Sequence, residues 1–220
     1  GQVTPLRRIM RRVTRHLQAG ASGPRVIVAG QVRTAIGVCG VSRIFGVMRQ
    51  MGMVVPDIDQ AMQHWVDVCG IGPWFYADRL SLTTYRYEGR TYDPPDVSMA
   101  LANSGDIQLE LIQQRCAIPS MYLDFLATGS EGYHHWAAFP TNYEEVRDRA
   151  SANGWVAVQE GESESGSFVY FVEQSDRKTA IELVAATPPR QRVFEAVRAA
   201  AVDWDGSRPV RDLASAMNPS

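Results

Sequence analysis

Two stretches of equal span, Asp57 to Gly70 and Thr141 to Gly154, read as helices and occupy the same place in a longer pattern. A short apolar run precedes each: QMGMVV (50–55) before the first and HHWAAF (134–139) before the second. Asp57 with Gln60, and Thr141 with Glu144, have capping-box spacing at the two starts. Ile58, Ala61, Met62, Trp65 and Cys69 then recur at helical intervals, as do Tyr143, Val146 and Ala150, and a glycine ends each stripe. Strand-like segments follow both. After the first helix come PWFYADRL (73–80), LTTYRYE (82–88), VSMALA (97–102) and IQLELIQ (107–113). After the second come WVAVQE (155–160), SFVYFVE (167–173) and TAIELVA (179–185). A strand, a helix and then strands, twice over, is a duplication of architecture even where few letters match.

That pattern predicts an α+β body over residues 46–187, built from units 46–115 and 132–187. Before it, residues 1–45 form a basic extension. Residues 1–56 hold nine arginines and no acid, for a charge of +9, while the remainder carries −11. Leu6, Ile9 or Met10, Val13 and Leu17 give that arm an amphipathic stripe, suited to an anionic surface or an acidic partner. RVIVAGQVRTAIGVCGV is broken by Gln31 and Arg33 and reads as neither a signal peptide nor a transmembrane span. Residues 188–220 make a C-terminal helix and tail, with Val193, Phe194, Val197, Ala201 and Trp204 as one stripe expected to pack over the sheet or at a subunit contact.

Composition adds the setting. With 45% hydrophobic and 21% charged residues, a chain of 220 can bury a core. Lys178 is the only lysine against 21 arginines, a bias that suggests a GC-rich bacterial coding sequence. Cys39, Cys69 and Cys116 are odd in number and widely spaced, so they read as small buried hydrophobes in a cytoplasmic protein. No nucleic-acid partner and no membrane span are expected.

Chemistry concentrates where polar residues interrupt apolar runs. Glu110 in LEL and Glu182 in IEL stand at matched places in the two units, and a buried carboxylate is costly unless it is paired or bound to a cation. In YHHWAAF, strand alternation lets only one of the adjacent histidines face a given side. If His135 faces the interior, Tyr133 and Ala137 share its side and His134 turns toward the helix layer.

PDIDQAMQHWVDVCGIGPWFY, GYHHWAAF and the closing AIELV together resemble the glyoxalase/bleomycin-resistance/extradiol-dioxygenase group, the vicinal oxygen chelate superfamily, over roughly residues 46–187. The resemblance implies two βαβββ modules forming a cupped mixed sheet around one divalent metal. It implies ligands from the terminal strands of each module: Gln50, Glu110, His135 and Glu182, with Gln108 as the nearest substitute for Gln50. One imidazole, two carboxylates and an amide oxygen suit Zn, Ni, Co, Mn or Mg. The set resembles that of glyoxalase I enzymes and implies a metal-dependent lyase or isomerase. It would enolise a small oxygen-bearing substrate, with Glu182 as the first choice of base and Glu110 the second. Methylmalonyl-CoA epimerases are similar too, but Ser98 stands where their second acid would fall. Two alternatives stay open: a ferrous-iron extradiol-type dioxygenase, and a metal-free small-molecule binder of the bleomycin-resistance kind. A homodimer is expected, as is common in the superfamily.

Overall fold

The computed structural model describes residues 42–175, 177 and 179–217. The amphipathic arm and Cys39 lie outside the described residues. In chain order the first half gives β1 (Met48–Val54), α1 (Ile58–Cys69), β2 (Trp74–Ala77), β3 (Thr84–Tyr87), β4 (Arg90–Thr91), β5 (Val97–Ser104) and β6 (Ile107–Gln114). A linker helix, α2 (Met121–Ala127), leads to β7 (Gly132–Ala138), α3 (Tyr143–Ala152), β8 (Trp155–Ser163), β9 (Gly166–Glu173) and β10 (Ala180–Val184). Then come α4 (Pro188–Ala201), β11 (Val210–Asp212) and α5 (Ala214–Met217).

All eleven strands join one curved, unclosed sheet in the order β11-β2-β5-β6-β1-β7-β10-β9-β8-β3-β4. Its centre is the expected pair of βαβββ modules. β1 runs parallel to β6, β7 runs parallel to β10, and β1 and β7 meet antiparallel at the seam. Alternation along the strands divides the side chains between two faces. The outer face of the first half packs Met53, Leu109, Leu111 and Ala100 against Ile58 and Met62 of α1. The outer face of the second packs Val169, Phe171, Ile181 and Leu183 against Tyr143, Val146 and Ala150 of α3. α1 starts as the sequence predicts, with the Asp57 side chain accepting the Gln60 N–H at 2.9 Å, and Gly70 ends it at φ 65°. α3 departs from expectation. Its N-cap is Asn142 and not Thr141, and the Asn142 side chain donates to Glu145 without capping a backbone N–H.

Three additions fall outside the duplicated plan. The 82–88 segment does form a strand, β3, but it leaves its own half. With β4 it makes a hairpin on the edge of β8, in the other half. Tyr85 and Tyr87 explain the crossing, because they bury their rings there. The Tyr85 hydroxyl donates to Pro119 O at 2.9 Å, with Gln159 Oε1 also within 3.1 Å, and the Tyr87 hydroxyl donates to Asp124 of α2. Second, α2 covers part of the inner face, placing Tyr122 among Val54, Ile112, Val158 and Tyr170. Third, α4 covers the inner face of the first half, with Val197 fully buried against Phe75 and Leu101. The stripe expected to run on through Trp204 stops short: α4 ends at Ala201, and the Trp204 ring instead packs against Gly72. The cysteine expectation also fails where it can be read, since Cys69 is exposed and Cys116 only half-buried. Among the described residues no helix is long and apolar enough to cross a membrane.

Candidate metal centre

β6, β1, β7 and β10 are neighbours at the middle of the sheet, and each contributes one of the residues expected at the site. Glu110 lies in β6, His135 in β7 and Glu182 in β10, and one ligand-type atom from each falls within 4.8 Å of the others. His135 Nε2 stands 3.3 Å from Glu110 Oε2 and 3.4 Å from Glu182 Oε2. Those distances suit charge pairing, but none of the three atoms has a hydrogen bond of good angle. Gln50 in β1 is also buried. Its Nε2 donates to Gln108 Oε1 at 2.8 Å, which leaves Gln50 Oε1 without a partner. All four residues therefore present a buried polar atom without a hydrogen-bond partner. A cation answers that need directly, since two carboxylate oxygens crowded around a nitrogen repel one another unless positive charge sits among them.

Register explains the convergence. Glu110, Gly52 and His135 form one row across β6, β1 and β7. Gln108, Gln50, Ala137 and Glu182 form the next row, across β6, β1, β7 and β10. Gly52 is what lets the first row close. A Cβ on it would lie 1.8 Å from His135 Cε1, so the imidazole crosses β1 through space that only glycine leaves free. Sequence reasoning passed over Gly52. Its one signal was a glycine interrupting an apolar strand, which commonly marks a close approach.

The paired histidines depart from the alternation argument. Gly52 pairs with His135 and Met53 with Tyr133, so His134 is the extra residue of a β-bulge. A bulge breaks the two-residue period. His134 accordingly does not turn toward the helix layer. Its ring sits beside the inner face, 5.9 Å from Tyr122, 5.1 Å from Phe125 and 6.2 Å from Tyr170, centre to centre. Its Nδ1 lies 3.0 Å from His135 Nδ1. Tyr133 moves the other way, to the side of Trp136, and is half-exposed. Ala137 remains on the inner face as expected, beside Glu182.

The electrostatics follow from burial and crowding. Burial pushes the Glu110 carboxyl upward; His135 pulls it back, and Glu182 adds to the rise. Burial opposes the charged form of His135, but the two carboxylates outweigh it and raise its pKa to about 9. His134 is driven down to about 3 by burial and then by the charge of its neighbour, so it stays neutral. Tyr170 pairs across the strands with Glu182, and the Tyr122 hydroxyl donates to it at 3.0 Å. Burial first, and the Glu182 charge second, hold both phenols protonated. Ser98 belongs to the opposite face. It pairs with Gln113 behind the sheet and donates to Asp78 O at 2.6 Å, so it has no part in this cluster.

A cleft of about 480 Å³ opens between α4 and the sheet, lined by Arg49, Gln108, Phe139, Gln191, Phe194 and Arg198. That volume is within the range of small-molecule sites. Gln108 connects it to the row that holds Gln50 and Glu182.

The family model described as the Glyoxalase/Bleomycin resistance protein/Dioxygenase superfamily matches residues 49–171. Among solved structures, methylmalonyl-CoA epimerase from Mycobacterium tuberculosis shares 16% identity, with 70% of this chain and 97% of that one covered and a TM-score of 0.51. A hypothetical protein from Bacillus halodurans C-125 shares 18%, covering 62% and 91%, at a TM-score of 0.46. A mutant 4-hydroxymandelate synthase from Streptomyces coelicolor shares 17%, covering 63% of this chain and 38% of that one, at 0.45. At such identities the likeness is one of fold. No curated protein matches the chain.

Proposed function

The chain belongs to the glyoxalase/bleomycin resistance/dioxygenase superfamily, and from that premise we propose that it is a metal-dependent lyase or isomerase of the glyoxalase type. One observation carries the reading: Gln50 Oε1, Glu110 Oε2, His135 Nε2 and Glu182 Oε2 are all buried polar atoms without hydrogen-bond partners. In this reading those four side chains hold a divalent ion, and the oxygen-rich donor set favours Zn, Ni, Co, Mn or Mg. Such an ion supplies Lewis acidity, polarising a substrate carbonyl so that the adjacent C–H becomes acidic.

The remaining steps fall to the chain's own groups. Glu182 accepts the substrate proton. It shares a row with Gln50 and Gln108, and Gln108 lines the cleft through which a small molecule would approach. Glu110, on the other side of His135, is the second candidate, and burial raises its pKa above the usual carboxylate range. Tyr170, held protonated beside Glu182 and accepting the Tyr122 hydroxyl proton, offers its own hydroxyl to an oxygen developing negative charge. α2 and α4 cover the inner face on two sides and keep bulk water from the reacting centre. The substrate is read as a small oxygen-bearing molecule, and the protein as a cytoplasmic homodimer.

Metal analysis of purified protein tests the reading. Stoichiometric Zn, Ni, Co, Mn or Mg supports it. Iron with oxygen uptake would move the assignment to a dioxygenase, and failure to bind any divalent cation would leave only a small-molecule binder. Light scattering on the same sample tests the homodimer.

A further inference from the structure

We propose that His134 is a positioning residue for the metal-holding histidine, accepting the Nδ1 proton of His135 and so leaving the Nε2 lone pair for a cation held between Glu110 and Glu182. This rests on the metal reading above, but its geometry stands in the protein alone. Two ring nitrogens 3.0 Å apart need one proton between them, so one donates and the other accepts. The direction comes from the metal reading, in which the cation sits at Nε2, the nitrogen that stands 3.3 and 3.4 Å from the two carboxylate oxygens. A ring that gives its Nε2 lone pair to a cation carries its remaining proton on Nδ1, and that proton points at His134. His134 then keeps its own proton on Nε2 and accepts at Nδ1.

The backbone is built for this contact. In a regular strand, adjacent side chains point to opposite faces and two neighbouring imidazoles could not meet. The bulge in β7 brings both to one side. Once there, the His134 ring is boxed edge-on by Tyr122, Phe125 and Tyr170, so its acceptor nitrogen has one direction available. Metal-bound histidines usually donate their second nitrogen to a carboxylate, a carbonyl or water. A neutral imidazole fixes the same tautomer without adding a third negative charge to a site that already holds two. Because Tyr122 and Phe125 belong to α2, the linker helix also becomes part of what orients the site.

The test uses the full-length protein with cobalt(II) as the probe, read by its visible absorption. His134→Phe keeps a ring in the aromatic box and removes the acceptor. His134→Asn removes the ring and keeps an acceptor close to where Nδ1 lies. If His134 orients His135, affinity follows the acceptor: His134→Phe weakens cobalt binding by about 10–100-fold, while His134→Asn stays closer to wild type. The reverse order, or equal losses, would show a packing role and overturn the proposal. Nitrogen-15 NMR of histidine-labelled wild-type protein loaded with zinc gives a reading that needs no variant to fold. A coupling between the two Nδ1 nuclei through a shared proton is expected, with the proton on His135. Its absence, or a proton residing on His134 Nδ1, would also overturn the proposal. Should wild-type protein bind no divalent cation, the functional reading fails and this proposal with it, whereas cobalt bound by wild type with the wrong order among the variants overturns this proposal alone.

Discussion

The two halves share a strand order and an outer helix, yet their inner faces divide the work unequally. β7 supplies a bulge and two histidines, whereas its antiparallel partner β1 supplies an amide and, opposite His135, a glycine. The first half contributes Glu110, Gln50 and the space; the second contributes Glu182, the imidazole and the group that touches it. Their covers differ as well, α4 over the first half and α2 beside the second. The two halves thus share a scaffold, and the site comes from the differences between them. Where a ring must cross a strand, the partner position has to be small.

The sharpest way to break that division is to make β1 resemble β7. Gly52→Ala puts a Cβ 1.8 Å from His135 Cε1, so the imidazole must leave its place. Divalent affinity should fall by more than about 100-fold, beyond the loss of a mere outer partner. Overpacking should cost about 1–3 kcal/mol of stability. Cobalt titration and urea unfolding measure the two. Next in size, Glu182→Gln should leave the thermal transition in place and lower turnover by about 10²–10⁴-fold, with Glu110→Gln the milder of the pair. Equal activity in Glu182→Gln protein would return the base to the first half.

Moving outward, Ile58→Ala in the α1 core should cost about 2–5 kcal/mol and leave cobalt affinity unchanged, because Ile58 faces away from the site. A linked change in affinity would mean that the outer and inner faces are coupled. pH reads the seam between the halves. In metal-free protein the His135 pKa is raised from 6.5 to about 9. The stabilisation from its protonated form is therefore complete below its unfolded value and is lost as pH rises through the folded one. Metal binding runs the opposite way, strengthening up to that upper value because protons cease to compete for Nε2. Urea midpoints and cobalt titrations across the alkaline range check both signs. The smallest effect compares the caps. Asp57→Ala should cost about 1 kcal/mol and Asn142→Ala clearly less, since only Asp57 caps a backbone N–H with its side chain.

Much of this is legible in the sequence. Residue type, matched position and resemblance point to Gln50, Glu110, His135 and Glu182, and the structure places Glu110, His135 and Glu182 together, with Gln50 beside them in the row of Glu182. The Asp57 cap and the Gly70 stop were readable because both act within one helical turn. The second cap was misplaced by one residue, as helix ends often are when several polar residues stand in a row. Tyr133 and His134 were assigned to the wrong faces because strict alternation was assumed, and nothing inside YHHWAAF marks the extra residue. β3 was recognised as a strand but given to the wrong half, since a strand's partners cannot be read from its own letters.

What the sequence determined by itself is the periodicity: two helices at matched places, strands around them, and carboxylates breaking apolar runs at matched points. Those features are local, because a helix stripe or a strand alternation is written in residues a few positions apart. What only the tertiary structure decided is the mutual register of β1 and β7, the bulge it forces at His134, the passage over Gly52, and the covering of the inner face by α2 and α4. Each depends on two distant segments meeting, so its energy resides in a contact between them and in neither segment alone.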